Sequence, residues 1–445
     1  MRRKKYCLMF WARALTAALM LAMSCICAYA SSESALDVLM ETAERSSPLI
    51  KAAHERVLRA NAALREAGAK MGPSVTAAAG GMWQQNDPLL AAVNPVTNTM
   101  IGVVPFGFRN TYVAAVDFLQ TVYSGGSLTA GRQAAELARD ASTAEEKRVR
   151  QSVRNSVRVA YFNVRRAQEK RTVAEESLKL AQEHLNRAEK LFAAGVVAKS
   201  DVLRSKTAVA ESKLNLIRAD NAVEISLTAL ERAVGTAVDE THVKNGDPDA
   251  ESLAHLQPKY ADPVSAAYEN REDLKMYGLL SRQADKTAKA QRGQLLPQIK
   301  AGGMLANIDD EFLPDGDEEW RLGLFGTWTV FDGGEISAKA EQSRAQAREF
   351  LYRLDDMKKT VKMEVTQAQS NLRFAESRLD VAARQVEVSE EDYRIAVKRY
   401  EAQVGTNLDM LDARLALTNS RTERVDALYD IEIAIADLIY AVGAD

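Results

Sequence analysis

Residues 185–203 read LNRAEKLFAAGVVAKSDVL, and residues 393–411 read YRIAVKRYEAQVGTNLDML. In each stretch a long helical pattern runs into a small break rich in Gly, Val and Thr. An Asp follows just before a second helix begins. One constant shift of about 208 positions relates the two copies, so the chain is internally duplicated. By position, about 15 of the 51 residues in 185–235 are identical to residues 393–443 without a gap. Thr121-Val122-Tyr123-Ser124-Gly125-Gly126 and Thr329-Val330-Phe331-Asp332-Gly333-Gly334 align at the same shift, as do Gly235 and Gly443.

Outward from the turns the periodicity is regular. Val153, Val157, Ala160, Val164, Ala167, Ala174, Leu178, Ala181, Leu185, Ala188 and Phe192 keep alternating spacings of four and three, with Arg171 the one polar interruption. In the second copy Leu351, Leu354, Val361, Val365, Ala368, Leu372, Ala375, Leu379, Ala382, Val386, Tyr393, Ala396 and Tyr400 keep the same rhythm. A sustained period of 3.5 is a coiled-coil seam, and the many Ala knobs let neighbouring helices approach closely. After Gly131 no Gly or Pro interrupts the first stretch before residue 192. That predicts roughly 65 residues of helix, or about 100 Å at 1.5 Å per residue. A second such helix is predicted over residues 335–402. After the first turn Val202, Val209, Leu216, Val223 and Leu230 continue the seam at seven-residue spacing.

Each half reads helix, strand, loop, strand, long helix, turn, helix. Helices are expected at residues 36–69 and 264–292, and strands at 74–83, 111–123, from 296 and at 320–331. Residues 86–110 read as loop, and an acidic loop is expected around 309–319. In the last strand Trp320, Leu322, Leu324, Trp328 and Val330 share one face. The two Trp residues would stand about 26 Å apart, close to the apolar band of an outer-membrane barrel with aromatic girdles. Four strands are too few to close a lumen, so several copies would have to share one barrel.

The N-terminus reads as a signal. Arg2, Arg3, Lys4 and Lys5 precede an apolar run over residues 14–28, and Ala28-Tyr29-Ala30 offers a cleavage site. All three cysteines (Cys7, Cys25, Cys27) lie in this segment, so a processed chain holds no disulfide, zinc cluster or thiol nucleophile. Lipidation at Cys25 or Cys27 is the rival, although Ala22-Met23-Ser24 is a poor lipobox. Removing residues 1–30 takes the formal charge from −3 to about −8, which argues against a nucleic-acid partner. Later residues contain no run of about 18 apolar positions, so membrane insertion would require a closed β-barrel. The expected organisation is therefore a signal at 1–30, a first repeat at 31–235, a connection at 236–262 and a second repeat at 263–445. G-x-S-x-G, P-loop, H-E-x-x-H and G-x-G-x-x-G motifs are absent, and His54, His184, His242 and His255 read as isolated surface residues. The sequence calls for no cofactor and no metal, and for no enzymatic role.

The strand ends TVYSGG and TVFDGG, the turns LFAAGVVAKSDVL and YEAQVGTNLDMLDA, and the terminal AVG repeats resemble the TolC family of outer-membrane efflux proteins. The resemblance covers nearly all of the chain beyond the signal. It implies a mainly α fold with a membrane β-barrel: a homotrimer whose 12-stranded barrel continues into a long periplasmic α-helical barrel. It also implies a passive exit duct for efflux or type I secretion, set in outer-membrane lipid and docked to a periplasmic adaptor and an inner-membrane pump. A periplasmic structural or adhesive coiled-coil protein is the alternative, but it leaves the apolar strand faces unexplained.

The family pattern assigns roles to matching positions. Asp409 and Asp412 fall where its periplasmic constriction carries acidic rings, whereas spacing alone also fits ordinary helix-start acids. Tyr400 and Asp201 match the positions of a closed-state hydrogen bond, with seam packing as the alternative for Tyr400. Gly195, Val196 and Val197, with Val404, Gly405 and Thr406, match the adaptor-docking tips, although a turn needs Gly in any case. Trp320 and Trp328 would form the membrane girdle. Two departures stand out. Gln403 replaces the usual Gly of the second turn, and Gly405 or Asn407 replaces a basic residue that some members carry there.

Overall fold

The computed structural model describes residues 35–86, 89–93, 100–105, 109–238, 243, 253, 261–311 and 318–444. The signal segment, most of the 236–262 connection and part of the acidic loop lie outside these residues. The elements in order are α1 (Ala35–Ser46), α2 (Pro48–Ala69), β1 (Ser74–Trp83), β2 (Leu89–Val93), β3 (Met100–Pro105), β4 (Asn110–Tyr123), α3 (Ser127–Ala193) and α4 (Lys199–Val234). The second half supplies α5 (Pro263–Asn270), α6 (Glu272–Gly293), β5 (Gln298–Asp309), β6 (Glu318–Thr327), α7 (Glu335–Glu401) and α8 (Asn407–Val442).

The duplication is visible in lengths. α3 and α7 each contain 67 residues, and α4 and α8 each contain 36. Both shorter helices end on a left-handed glycine, Gly235 at φ 85° and Gly443 at φ 76°. Gly443 is held closely, because an added Cβ would come within 3.2 Å of the Arg271 backbone.

Four expectations change. The helix expected over residues 36–69 is two helices, because Pro48 cannot continue α1 and instead opens α2. The helix expected over 264–292 is likewise two, broken at Arg271, whose φ of −69° and ψ of 120° are extended. Residues 86–110 are not all loop, since β2 and β3 pair as an antiparallel hairpin from Leu89↔Pro105 to Val93↔Met100. β6 stops at Thr327, so Trp328, Val330 and Phe331 lie beyond the strand.

Two compact units divide the chain, and each draws on both repeats. The strand unit, Ala53–Glu146 with Glu272–Lys359, holds a sheet in the antiparallel order β1-β4-β5-β6. Its registers run through Ala77↔Val116, Val116↔Leu305 and Leu305↔Trp320. Trp320, Leu322 and Leu324 are exposed on one face of β6, and all of β1 is exposed.

The helical unit combines the described N-terminal residues up to Ala52 with Lys147–Arg271 and Thr360–Asp445. Its core takes Val153, Val157 and Val164 from α3, Val223 and Leu230 from α4, Val361 and Val365 from α7, and Met410, Leu417 and Ile439 from α8. The seam departs from strict alternation. Ser177 and His184 are buried, whereas Phe192 and, in the strand unit, Leu351 are exposed. The reason for the wider buried arc is that α3 has two neighbours. Arg171 pairs with Asp220 of α4 at 2.9 Å, and Arg166 pairs with Asp430 of α8 at 3.0 Å. Ion pairs continue to α7, with Arg421 of α8 bridging Glu176 of α3 at 2.8 Å and Glu390 of α7 at 2.7 Å.

Candidate gate and docking tips

The two turns close in the same way with different residues. In the first, Gly195 takes φ 74° and Val196 N–H donates to the Leu191 carbonyl at 2.9 Å. In the second, Gln403 takes φ 61°, and Val404 and Gly405 both donate to the Arg399 carbonyl, at 2.9 and 3.0 Å. Gln403 is the one non-glycine residue with positive φ among the described residues. The duplicated turn demands a left-handed residue at this point, and the second copy meets that demand with a strained one.

The tip residues of each turn differ in exposure. Val196 and Val404 project into solvent, Val197 is half-buried, and Gly195 has open space around it. Gly405 is different, since a Cβ there would meet Arg399 Cβ at 3.0 Å. Thr406 is exposed and caps α8. Its Oγ1 accepts from Asp409 N–H at 3.1 Å, while Thr406 N–H donates to the Asp409 carboxylate at 3.1 Å. This reciprocal box satisfies two backbone donors at the helix start.

Asp409 therefore has a capping role of its own. Its backbone and side-chain bonds with Thr406 hold the carboxyl below the usual range, helped by the Arg399 charge. Asp412 is exposed one turn further along. Both line an open groove of about 410 Å³ between the end of α7 and the start of α8, together with Asp392, Ile395, Arg399 and Ala416. The i, i+3 spacing expected to put both carboxylates on one side does so. Asp392 and Arg399 were missed, because neither belongs to a motif and only the α7–α8 packing brings them in.

Tyr400 and Asp201 do not line this groove. Tyr400 is 4% exposed, and among the described residues its hydroxyl has no hydrogen-bond partner. Burial pushes the phenol up, and the Asp201 carboxylate adds to that without bonding to it. The ring instead meets His184 edge-on, at 5.4 Å between centroids. His184, expected at the surface, is 2% exposed. One ring nitrogen lies 2.7 Å from Asn407 Oδ1, and Asn407 Nδ2 donates to the Asp201 carbonyl at 3.1 Å. Its helical position would have flagged His184 only if two neighbours had been allowed for α3. His54 is exposed, and His242 and His255 lie outside the described residues.

At the sheet, Trp320 is exposed on β6, whereas Trp328 lies just past the strand and donates to the Leu295 carbonyl at 3.0 Å. Trp83 joins the aromatic set, meeting Tyr112 edge-on at 5.8 Å. The sequence reading overlooked it because the loop after β1 hid its partner.

The family model for outer membrane efflux proteins matches residues 39–236 and again residues 264–444. The chain belongs to the outer membrane efflux protein family. Within this family, the probable efflux pump outer membrane protein TtgC of Pseudomonas putida is 23% identical over 269 residues, which is 60% of this chain and 55% of TtgC. The alignment thus spans little more than half of that relative's length. The outer membrane efflux protein BepC of Brucella suis is 23% identical over 343 residues, 76% of this chain and 73% of BepC. Among solved structures, the outer membrane protein VceC of Vibrio cholerae superposes with a TM-score of 0.75 at 18% identity, covering 92% of this chain and 96% of VceC. At that identity the likeness shows the fold.

Proposed function

We propose that this outer membrane efflux family member is one of three subunits of an outer-membrane exit duct that serves a tripartite efflux pump. The observation that carries the reading is the β1-β4-β5-β6 sheet, which exposes an apolar Trp320–Leu322–Leu324 face and ends in two strands each paired on one side only. Open edges and a bare apolar face are a liability in water. Three copies joined edge to edge give about 12 strands, enough to close around a lumen with the apolar face toward lipid. The helical unit offers a matching join. Phe374, Val381, Val388 and Ile395 leave a heptad stripe of α7 exposed, and Leu203, Ile217 and Ile225 are exposed apolar residues on α4. Counted from the turn, both sets cover roughly the same 6–40 Å of helix, so α7 of one copy can pack along α4 of the next.

In this assembly the duct crosses the outer membrane and its helices extend into the periplasm. Asp409 and Asp412 of each copy ring the axis at the narrow end, attracting cations and repelling anions. Gly195, Val196 and Val197, with Val404, Gly405 and Thr406, present the tips to a periplasmic adaptor that connects to an inner-membrane pump. The pump supplies the energy. Relatives named as efflux pump outer membrane proteins support efflux over type I secretion.

Fractionation tests the assembly. The protein is expected in the outer-membrane fraction as a detergent-extracted trimer, with adaptor and pump recovered after crosslinking in cells. A water-soluble monomer would overturn the reading.

A further inference from the structure

His184 sits where α3, α4, α7 and α8 converge, about two and a half turns before the end of α3. The Asn407 amide fixes its tautomer. Asn407 Nδ2 is committed to the Asp201 carbonyl, so Oδ1 faces the imidazole and accepts its Nε2 proton. Nδ1 is then the bare nitrogen, buried and without a hydrogen-bond partner among the described residues. A second proton there would create a buried N–H with no acceptor and a cation with no paired carboxylate, and both are costly in a packed interior.

The charges around it add to that cost. Arg187 lies on its own helix, although it pairs with Glu401 of α7 at 3.1 Å. Arg414 of α8 is buried, donating to the Ser212 hydroxyl at 2.8 Å and the Ser177 carbonyl at 3.3 Å. Asp201 of α4 is the acidic counterweight, and α7 contributes the uncharged rings of Tyr393 and Tyr400. Burial holds the imidazole below its ordinary value. The Asn407 bond opposes that, and the two arginines reinforce it.

We propose that His184 is an acid-released latch: neutral, it clamps α3 to the start of α8 through Asn407 and to α7 through Tyr400, and protonation frees the α7–α8 tip to swing open. The proposal rests on the duct reading and adds regulation to its gate. An imidazole that refuses the proton when packed and accepts it when released stabilises the packed form fully above the ordinary value of about 6.5. That contribution is lost as pH falls through this value toward the packed one. Within the window each pH unit shifts the balance by up to about tenfold per subunit.

Single-channel current in planar bilayers, read from about pH 7.5 to about pH 5, together with hydrogen exchange at the Val404 amide, tests it. Wild type is expected to gain current and, once exchange is corrected for its intrinsic slowing in acid, to lose protection at Val404 as the pH falls. His184→Gln keeps a donor for Asn407 but cannot titrate, so its acid response should vanish. Asn407→Asp sets a carboxylate beside the ring, so protonation would build an ion pair within the packed form and the acid response should shrink or reverse. An undiminished acid response in H184Q or in N407D overturns the latch. If H184Q fails to assemble, the N407D acid response decides alone. Acid-dependent exchange that H184Q abolishes, with no current at any pH, would uphold the latch and sink the duct instead.

Discussion

Replacing Gln403 with Gly should tighten the second turn. Gln403 holds φ 61° with an exposed side chain, so the substitution removes backbone strain and sacrifices no packing. A left-handed conformation costs an L-residue about 1–2 kcal/mol. Glycine escapes that cost, but its freer unfolded chain returns about 0.5–1 kcal/mol. The net gain is about 0.5–1 kcal/mol, or roughly a two- to five-fold shift in the local opening equilibrium. The Val404 and Gly405 amides report it directly, since both are closed onto the Arg399 carbonyl only while the turn is formed. Hydrogen exchange at neutral pH should show both slowed by that factor in Gln403→Gly. The first turn provides the converse. At Gly195 an added Cβ meets nothing within 4 Å, so Gly195→Ala isolates the conformational term at φ 74°. Exchange at Val196 should then quicken by the same factor, roughly two- to five-fold. Unchanged or faster exchange at Val404 and Gly405 in Gln403→Gly would refute the claim that the second turn carries strain.

Three further outcomes follow from the same geometry. Asp412→Asn should weaken divalent-cation block of single-channel current without altering turn exchange, whereas Asp409→Asn should do both, because Asp409 also closes the capping box; equal effects on exchange would remove that distinction. Tyr400→Phe deletes a buried hydroxyl that has no partner, so thermal stability should hold or rise by up to about 1 kcal/mol and conductance should not increase; a large rise in conductance would restore the hydroxyl as the element that holds the gate shut. Gly443→Ala forces a side chain into φ 76° and against the Arg271 backbone, and should lower stability by about 2 kcal/mol or more in thermal or denaturant unfolding.

The long helices, both turns and the four-stranded sheet were legible because each is written in a local period or in a glycine that the backbone requires. What escaped the sequence reading needed a neighbour. Pro48 was visible, yet the apolar face running across it masked a break between α1 and α2. Arg271 has no breaking residue at all, and its extended backbone goes with a side chain, 3% exposed, that pairs with Glu364 and donates to the Ala441 carbonyl at 3.3 Å. His184 escaped for the same reason. Periodicity assigns each helix one buried stripe, and α3 has two.

The proposed gate shows why duplication alone could not reveal its wiring. At the constant shift, His184 aligns with Asp392, Phe192 with Tyr400, Lys199 with Asn407 and Asp201 with Asp409. The buried cluster takes His184 and Asp201 from the first copy and Tyr400 and Asn407 from the second. The groove takes the complementary residues of the second copy, Asp392 and Asp409. At two aligned positions, one copy thus supplies the hinge side of the tip and the other the acidic side. Such a division leaves no trace in either repeat read alone, because it arises where the two helical hairpins pack against each other. It also explains how an ancestral symmetric turn could acquire a gate. Once the copies are covalently joined, a substitution at one member of an aligned pair changes one face of the tip and leaves the other intact.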